Sequence, residues 1–423
     1  MSQILLISHI FPPAIDGGSR VIYKIGRYFE TQGHQTLYLS SDCLSTDDFT
    51  KSKYQKISTT HQPRSNIYLP VYHHLRRPLK LLNLFIPPKL YLHDLLKVCQ
   101  KGPIFKFIPF IKATTKIIKF RPDLIIAGPL PTTSILYARL LKMIINLHTC
   151  KRLKDHPCRL LINASFHQTD SDFFQKPLIK TLQQADFLWT LTQYETNFFI
   201  KNIHINPSKI ILAGNGIDPK FLIKKSDRLT PTDSTGKSDQ PNILFIGSLS
   251  AHKGLDTLIN SFSLLLKANS YLLSTKLILA GQKTLFYPKI KKLINSQPKL
   301  IRSQIKFIFN FPQEKLTHLI DNCTLLVLPS NQESFGLVLI EAWARKKPVI
   351  TSDIPPLKEI VNQARGGLIF KNQNPTDLKN KVLHLINHPQ LRHQLGQKGF
   401  NYVKNNYTWP IVRKKISQKI SSL

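Results

Sequence analysis

Two carboxylates, Glu333 and Glu341, stand eight residues apart in the stretch TLLVLPSNQESFGLVLIEAWARKKPVITSDIPPLKEIV, residues 324–361. Glu341 falls within LVLIEAWA, a helix-like run apolar on nearly every side, where an ionised carboxylate is costly unless a ligand or neighbour satisfies it. Glu333 precedes that run, in the loop after the apolar strand Leu325 to Leu328, and Ser334 beside it has the residue type of a helix N-cap. One acid is thus expected at the mouth of a crevice and the other two turns into its wall. Between them Gly336 and Leu337 offer backbone N–H groups at a helix N-terminus, where unpaired donors and the helix dipole favour a phosphate. Carboxylates that grip hydroxyls, beside amides that grip phosphate, point to a nucleotide sugar.

Two acids at this spacing also fit an ordinary strand-loop-helix unit in which both are incidental. The surrounding segments separate the two readings. LPS, ESFGLVLIEA, PVI, EIV and GGLIF follow one another here in the order that is similar to the retaining GT-B glycosyltransferases of family 4, whose E-x7-E signature Glu333 and Glu341 match. The resemblance implies that Glu333 hydrogen-bonds the donor sugar's hydroxyls and Glu341 the ribose hydroxyls. It implies donor contacts from Ser334, Phe335, Gly336 and Leu337 as well.

The resemblance extends to GSLSAHKGLDTLI, where Lys253 and Gly254 occupy the family's phosphate-binding Lys-Gly pair. A lysine there neutralises the donor diphosphate and the charge that grows as the glycosidic bond breaks. A casual surface lysine is the alternative. Five residues earlier the family usually carries an arginine, and this chain has Ser248. An arginine fork contacts phosphate bidentately, which serine cannot do. Losing one charge-assisted contact costs roughly 1.5 to 3 kcal/mol, so another cation substitutes, with His252 and Arg345 as candidates, or the enzyme is weak or degenerate. The family's glycine two residues before the PV of PVI is replaced too, by Lys346.

In the first half, the loop FPPAIDGGSR resembles the family's N-terminal glycine-rich loop, with Gly17 and Gly18 letting backbone approach the diphosphate and the acceptor. It is not GxGxxG, which argues against a dinucleotide dehydrogenase. His167 ends the strand-like run CRLLINASFH, where the family has a histidine near the donor's anomeric carbon; a histidine that merely closes a strand is the plain alternative. Asp170-Ser171-Asp172 reads as D-x-D, the metal motif of the other glycosyltransferase fold. The resemblance implies no metal and no cofactor, since enzymes of this type hold the diphosphate on helix amides and lysine. His148, Cys150, His156 and Cys158 match no standard zinc spacing, and Lys151, Arg152 and Lys154 oppose a cation. The NGID turn at 215–218 resembles the family's hinge-proximal turn and equally fits a plain Asn-Gly turn.

The elements that must carry these residues alternate between strand and helix, as a parallel sheet wound on both faces requires. Strand-like runs QILLISH, TLYLSS, RPDLIIAG, CRLLINASFH, ADFLWTLT and KIILAGNGID make up a first half; NILFIGSL, KLILAG, KFIF, LLVL and PVIT make up a second. Residues 224–240, KKSDRLTPTDSTGKSDQ, hold almost no apolar side chain and read as a solvated linker. The 423 residues suit two Rossmann-sized units, and with 42% hydrophobic residues each can bury a core. The fold class expected is α/β, GT-B: two Rossmann-like doubly wound parallel-sheet domains facing across a cleft. The boundaries are an acceptor-side domain 1–222, a linker 223–240 and a nucleotide-sugar domain 241–407. The resemblance sends a terminal helix, 408–423, back to pack on the first domain.

The charge balance is 59 Lys plus Arg against 24 Asp plus Glu, a formal +35. That implies a polyanionic partner: nucleic acid, an anionic membrane surface or phosphorylated substrates. Residues 71–121 carry only Asp94 as an acid, and they interleave cations such as Arg76, Arg77, Lys106 and Lys112 with Leu, Ile and Phe. Such a mixture reads as a surface lying on lipid headgroups. Nucleic acid is disfavoured, since no recognised module is present and the patch is aliphatic and Phe-rich rather than a stacking platform. No apolar run reaches membrane-spanning length, no signal peptide opens the chain, and five scattered cysteines fit reduced thiols. The expectation is a cytoplasmic protein, peripheral on the cytoplasmic face of the membrane, that moves a sugar from a nucleotide-diphosphate donor to a glycan or lipid-linked acceptor in cell-envelope polysaccharide or lipopolysaccharide synthesis. A non-catalytic relative acting as a binding or partner subunit is the alternative, with Ser248 as its best support.

Overall fold

The structure is a computed structural model that describes residues 2–8, 11, 17–41, 66–69, 108–130, 133–149, 157–165, 176–222, 240–309, 311 and 313–421. Contacts between Cα atoms divide the chain into two units. The first comprises Met1–Phe166, Asp170–Thr190 and Phe198–Ile211; the second comprises His167–Thr169, Leu191–Asn197 and Leu212–Leu423. The expected linker lies, up to residue 239, outside the described residues.

The first unit is built on strands β1 (Gln3–Ile7), β2 (Gln35–Ser41), β3 (Asn66–Leu69), β4 (Leu124–Ala127), β5 (Arg159–Asn163), β6 (Phe187–Thr190) and β7 (Ile210–Leu212). They form one sheet in the order β3-β2-β1-β4-β5-β6-β7, and the pairings of β1 with β2 and with β4 are parallel. Every residue of β4 and β6 is buried, as expected of strands covered by helices on both faces. Helix Gly17–Thr31 follows β1 and ends where Gly33 takes φ 83, a left-handed turn suited to glycine. Leu5, Ile7, Ile125, Ile135, Leu141 and Leu160 belong to one buried apolar cluster against the sheet.

The second unit repeats the plan with β8 (Asn242–Ile246), β9 (Lys276–Gly281), β10 (Ile305–Phe309), β11 (Leu325–Leu328), β12 (Val349–Ser352) and β13 (Gly367–Phe370) in the order β10-β9-β8-β11-β12-β13. The chain runs outward from β8 to β10 on one side, then crosses to β11 and runs outward again. The neighbours β8 and β11 therefore flank a topological switch point, where crevices open at the carboxyl ends of strands.

The last helix, Trp409–Ser421, groups with the second unit. The NGID turn has a physical partner there. Ile217 N–H donates to the Tyr407 carbonyl at 2.7 Å and Trp409 N–H returns to the Ile217 carbonyl at 3.0 Å. A Cβ on Gly214 would lie 2.4 Å from the Tyr407 ring and one on Gly216 would lie 2.5 Å from Trp409, so both glycines are required for this close approach.

Candidate functional site

Two loops leave the carboxyl ends of β8 and β11, side by side at the switch point, and the sequence brings them into contact through glycine. Gly254 sits at φ 62 with its α-carbon against the second loop: a Cβ there would lie 2.0 Å from the Pro329 carbonyl oxygen. Only a glycine tolerates both that conformation and that approach. The loops are also joined by the Asn331 N–H, which donates to the His252 carbonyl at 2.8 Å.

Lys253 and Glu333 meet as a result. Lys253 Nζ lies 2.5 Å from Glu333 Oε1, and their side chains are only 15% and 11% exposed. Ser330 Oγ stands 3.5 Å from the same carboxylate oxygen. The Ser330 carbonyl in turn accepts from Ser352 Oγ, anchoring the second loop to β12. An ammonium and a carboxylate held together at a topological switch point have the chemistry to meet a phosphate and hydroxyls.

The helix Leu337–Ala344 starts beside this pair. Its cap is Gly336, at φ 75 and ψ 64, and no side chain caps it. This corrects the expectation that Ser334 is the N-cap: the chain enters the helix through a left-handed turn two residues later, which glycine adopts without the steric penalty of other residues. Leu339 N–H donates to the Gly336 carbonyl at 2.9 Å; the amides before it lie where the helical pattern supplies no acceptor. Phe335 is buried and packs edge-on against Tyr407 at 5.2 Å between ring centroids, so its backbone alone remains for a ligand. Glu341 is the fifth residue of the helix, one turn in rather than two, and is 7% exposed among side chains that are otherwise apolar.

The missing arginine is not replaced by Arg345. Its guanidinium is held bidentately by Asp321, Nε to Oδ1 and Nη2 to Oδ2 at 2.7 Å each, and Nη1 reaches the Phe221 carbonyl at 3.4 Å. That fork is already committed, so Arg345 is corrected to a structural residue. His252 Nε2 lies 3.5 Å from Ser250 Oγ, and Ser250 Oγ lies 3.0 Å from Ser248 Oγ, so the position of the family's arginine carries a serine bonded within its own loop. Lys346 takes φ 56, a conformation that accounts for the glycine expected there.

In the first unit Gly17 and Gly18 open the helix after β1, at that sheet's own reversal between β1 and β4. Gly18 also has a packing reason, since a Cβ there would lie 2.5 Å from Pro129 Cγ. The buried hydroxyls Ser8 Oγ and Ser19 Oγ bond at 2.8 Å beside it. The run CRLLINASFH forms a strand only from Arg159 to Asn163; His167, Asp170, Asp172, Cys150 and His156 lie outside the described residues, as do residues 71–107 of the basic segment.

Sequence reasoning takes Ser330 only as the last residue of the LPS segment, with no role of its own, and passes over Asn331. Besides bonding His252, Asn331 keeps its Oδ1 buried with no protein partner, close to Gly254. The only signal for Asn331 is its position, just after a buried strand. The Glu359 of EIV has a structural employment: within the second unit its two oxygens accept from the N–H groups of Gln193 and Tyr194, at 2.7 Å each.

Residues 227–402 match the family profile described as Glycosyl transferases group 1, and the match supports membership of that family. An uncharacterized glycosyltransferase of Methanocaldococcus jannaschii is 30% identical over 240 residues, covering 55% of this chain and 65% of that one. The chain thus spans less than two thirds of this relative's length. Sucrose-phosphate synthase from Thermosynechococcus elongatus aligns in structure with a TM-score of 0.71 at 18% identity, over 100% of this chain and 99% of that one. HepE from Anabaena, in complex with UDP and glucose, aligns with a TM-score of 0.70 at 16% identity over 100% of both chains. These likenesses, with the two doubly wound parallel sheets, establish the fold as GT-B.

Proposed function

We propose that this chain is a retaining, metal-independent glycosyltransferase of family 4 that moves a sugar from a nucleotide-diphosphate donor to a glycan or lipid-linked acceptor in cell-envelope polysaccharide or lipopolysaccharide synthesis. The observation that carries the reading is the 2.5 Å contact of Lys253 with Glu333 at the switch point, directly before the helix start at Gly336 and Leu337. The family profile covering both residues supports it, and the HepE structure with UDP and glucose supports a nucleotide-sugar donor.

In this reading Lys253 and the amides of Phe335, Gly336 and Leu337 hold the diphosphate, Glu333 the sugar hydroxyls and Glu341 the ribose hydroxyls. Without donor, Glu333 and Lys253 neutralise each other; donor binding shares the ammonium with phosphate and turns the carboxylate toward hydroxyls. The bond from the anomeric carbon to the diphosphate oxygen breaks, while the acceptor oxygen bonds the same carbon on the same face. The leaving diphosphate takes the acceptor's proton, so no protein nucleophile is required. Lys253 stabilises the charge that accumulates on the leaving oxygen. His167, by resemblance, orients the sugar near the anomeric carbon. The protein works in the cytoplasm at the membrane face, where residues 76–121 contact anionic lipid and bring the first domain to a lipid-linked acceptor.

The test is a thermal-shift and hydrolysis screen of purified protein against UDP-, GDP- and ADP-sugars. One donor that both raises Tm and is turned over, with loss of both effects in Lys253→Ala, is the expected result. Ser248 favours a second reading, a non-catalytic relative that keeps the fold as a binding subunit. Binding of a nucleotide sugar with no hydrolysis and no transfer to any glycan extract would select it. No shift with any nucleotide sugar would overturn both.

A further inference from the structure

Among the described residues, the second unit presents a surface that the donor site does not use. No Asp or Glu occurs between Asp256 and Glu314, and within that span the segment from Lys283 to Lys306 is rich in lysine. Its helix Tyr287–Asn295 buries Ile290 and Ile294. Helical hydrogen bonding begins earlier, with Tyr287 N–H on the Thr284 carbonyl at 3.0 Å and Lys289 N–H on the Phe286 carbonyl at 3.1 Å. Leu285, Lys289 and Lys292 therefore follow one another at four- and three-residue spacing along the face opposite the buried isoleucines.

Leu285 is 96% exposed, which no packing within the unit explains. The next helical turn, Lys299–Arg302, repeats the composition: Lys299 and Arg302 are exposed, Leu300 is 52% exposed, and Ile301 is buried. Leucines standing clear of the surface among unopposed cations match an interface with lipid headgroups above and acyl chains below. A nucleic-acid surface needs open ring faces for stacking. The rings here are covered instead: Phe307 stacks on Phe309 at 5.3 Å, Tyr287 meets both edge-on at 5.4 Å, Lys283 Nζ covers Phe309 at 4.5 Å, and Lys289 Nζ lies over Phe286 at 5.2 Å.

We propose that the face formed by residues 285–302 is a docking surface for anionic phospholipid, with Leu285 and Leu300 entering the interface and Lys289, Lys292, Lys299 and Arg302 pairing with headgroups. It is a separate contact from the one assigned to residues 76–121 and does not rest on the transfer reaction. Each Lys or Arg close to an anionic bilayer changes partitioning by about fivefold, so removing three of these four cations removes most of the binding of this face.

The test is sedimentation of the full chain with phosphatidylglycerol or phosphatidylcholine vesicles at near-physiological salt. The parent, Leu285→Ser, and a triple variant (Lys289→Gln, Lys292→Gln, Arg302→Gln) are compared, each also made with Arg76, Arg77, Lys106 and Lys112 changed to Gln so that the other segment cannot mask the effect. All of these second-unit side chains are exposed, so unfolding curves should superimpose. The expected result is binding of the parent to phosphatidylglycerol alone, a drop of at least tenfold in the triple variant and of severalfold in Leu285→Ser. The proposal is overturned if the parent fails to sediment, if either variant sediments as the parent does, or if duplex DNA competes with vesicles equally in the parent and in Leu285→Ser. None of these results bears on donor turnover, so failure here leaves the transferase reading standing.

Discussion

Lys253 Nζ rests 2.5 Å from Glu333 Oε1 although eighty residues of chain separate them, and both are largely withdrawn from water. The pair exists because β8 and β11 are neighbours in the sheet and because Gly254 lets one loop touch the other. An ion pair so shielded contributes little net stability, since desolvation offsets most of the attraction. Its placement beside a helix N-terminus is better explained by a ligand that uses both charges.

Lys253→Ala should therefore lower turnover about 100-fold or more, the usual effect of removing one group that stabilises transition-state charge. The matched neutral pair, Lys253→Met with Glu333→Gln, should lose activity equally while Tm moves by only a few degrees. Steady-state rates and a thermal melt decide it; full activity in either variant removes the pair from the mechanism.

The glycines at the two loop ends should differ in a definite order. Gly254→Ala adds a Cβ 2.0 Å from a carbonyl oxygen at φ 62, so left-handed strain of about 1 to 2 kcal/mol combines with overpacking of about 1 to 3 kcal/mol. Gly336→Ala meets leucine methyl groups as its nearest neighbours, at 3.0 to 3.2 Å, and should cost about 1 to 2 kcal/mol. Urea midpoints measure both. A Gly336 variant less stable than the Gly254 variant would show that the loop contact yields easily.

β11 and β12 were legible because they are buried along their whole length and read as short apolar runs; LLVL is a strand from Leu325 to Leu328, as expected. β3 (NIYL) and β13 (GLIF) are as short as LLVL but open on Asn and Gly, residues depleted in strands, and were not expected as strands. The site was legible only as a resemblance: the sequence places Lys253 and Glu333 far apart, and nothing local says that their strands adjoin. Ser334 misled because cap preference is local, whereas the entry turn is set by Gly336. Arg345 misled because its partner, Asp321, lies on another helix, Gln313–Asp321, and such pairing has no periodic signature.

Cys158 should resist alkylation. Burial pushes its thiol up to about 12, and nearby Asp186 adds to the rise while Lys142 opposes it. The nucleophile is the thiolate, so at pH 8 the side chain is almost wholly the unreactive thiol. Peptide mapping after iodoacetamide at pH 8 should find Cys158 unmodified in the folded protein and modified in urea. Rapid labelling of the folded protein would mean that the pocket around it opens readily.

On the proposed reading, in which Lys253 and the amides of the helix Leu337–Ala344 supply the positive field on the diphosphate, activity should persist in EDTA. Initial rates with and without the chelator are compared once a donor is known. Loss of activity that Mn2+ or Mg2+ restores would assign a metal to Asp170 and Asp172 and reverse the metal-independent reading.

Glu341 and Trp343, two residues apart on one helix, should separate binding from stability. Trp343 is fully buried and its indole N–H donates to the Gly366 carbonyl at 2.8 Å. Trp343→Phe leaves that carbonyl without its donor and opens space beside Gly399, whose Cβ would lie only 2.1 Å from the ring. It should lose about 2 to 4 kcal/mol of stability with donor affinity nearly intact. Glu341→Gln keeps the shape and one acceptor oxygen while removing the charge, so its Tm should change by only a few degrees. Its donor affinity should fall about tenfold or more, since a hydrogen bond from a ribose hydroxyl to an ionised acceptor contributes about 1.5 to 3 kcal/mol. Calorimetric titration with the donor and urea unfolding of both variants make the comparison. If Glu341→Gln unfolds early while binding donor normally, the carboxylate holds the helix in place and the ribose contact belongs to another residue.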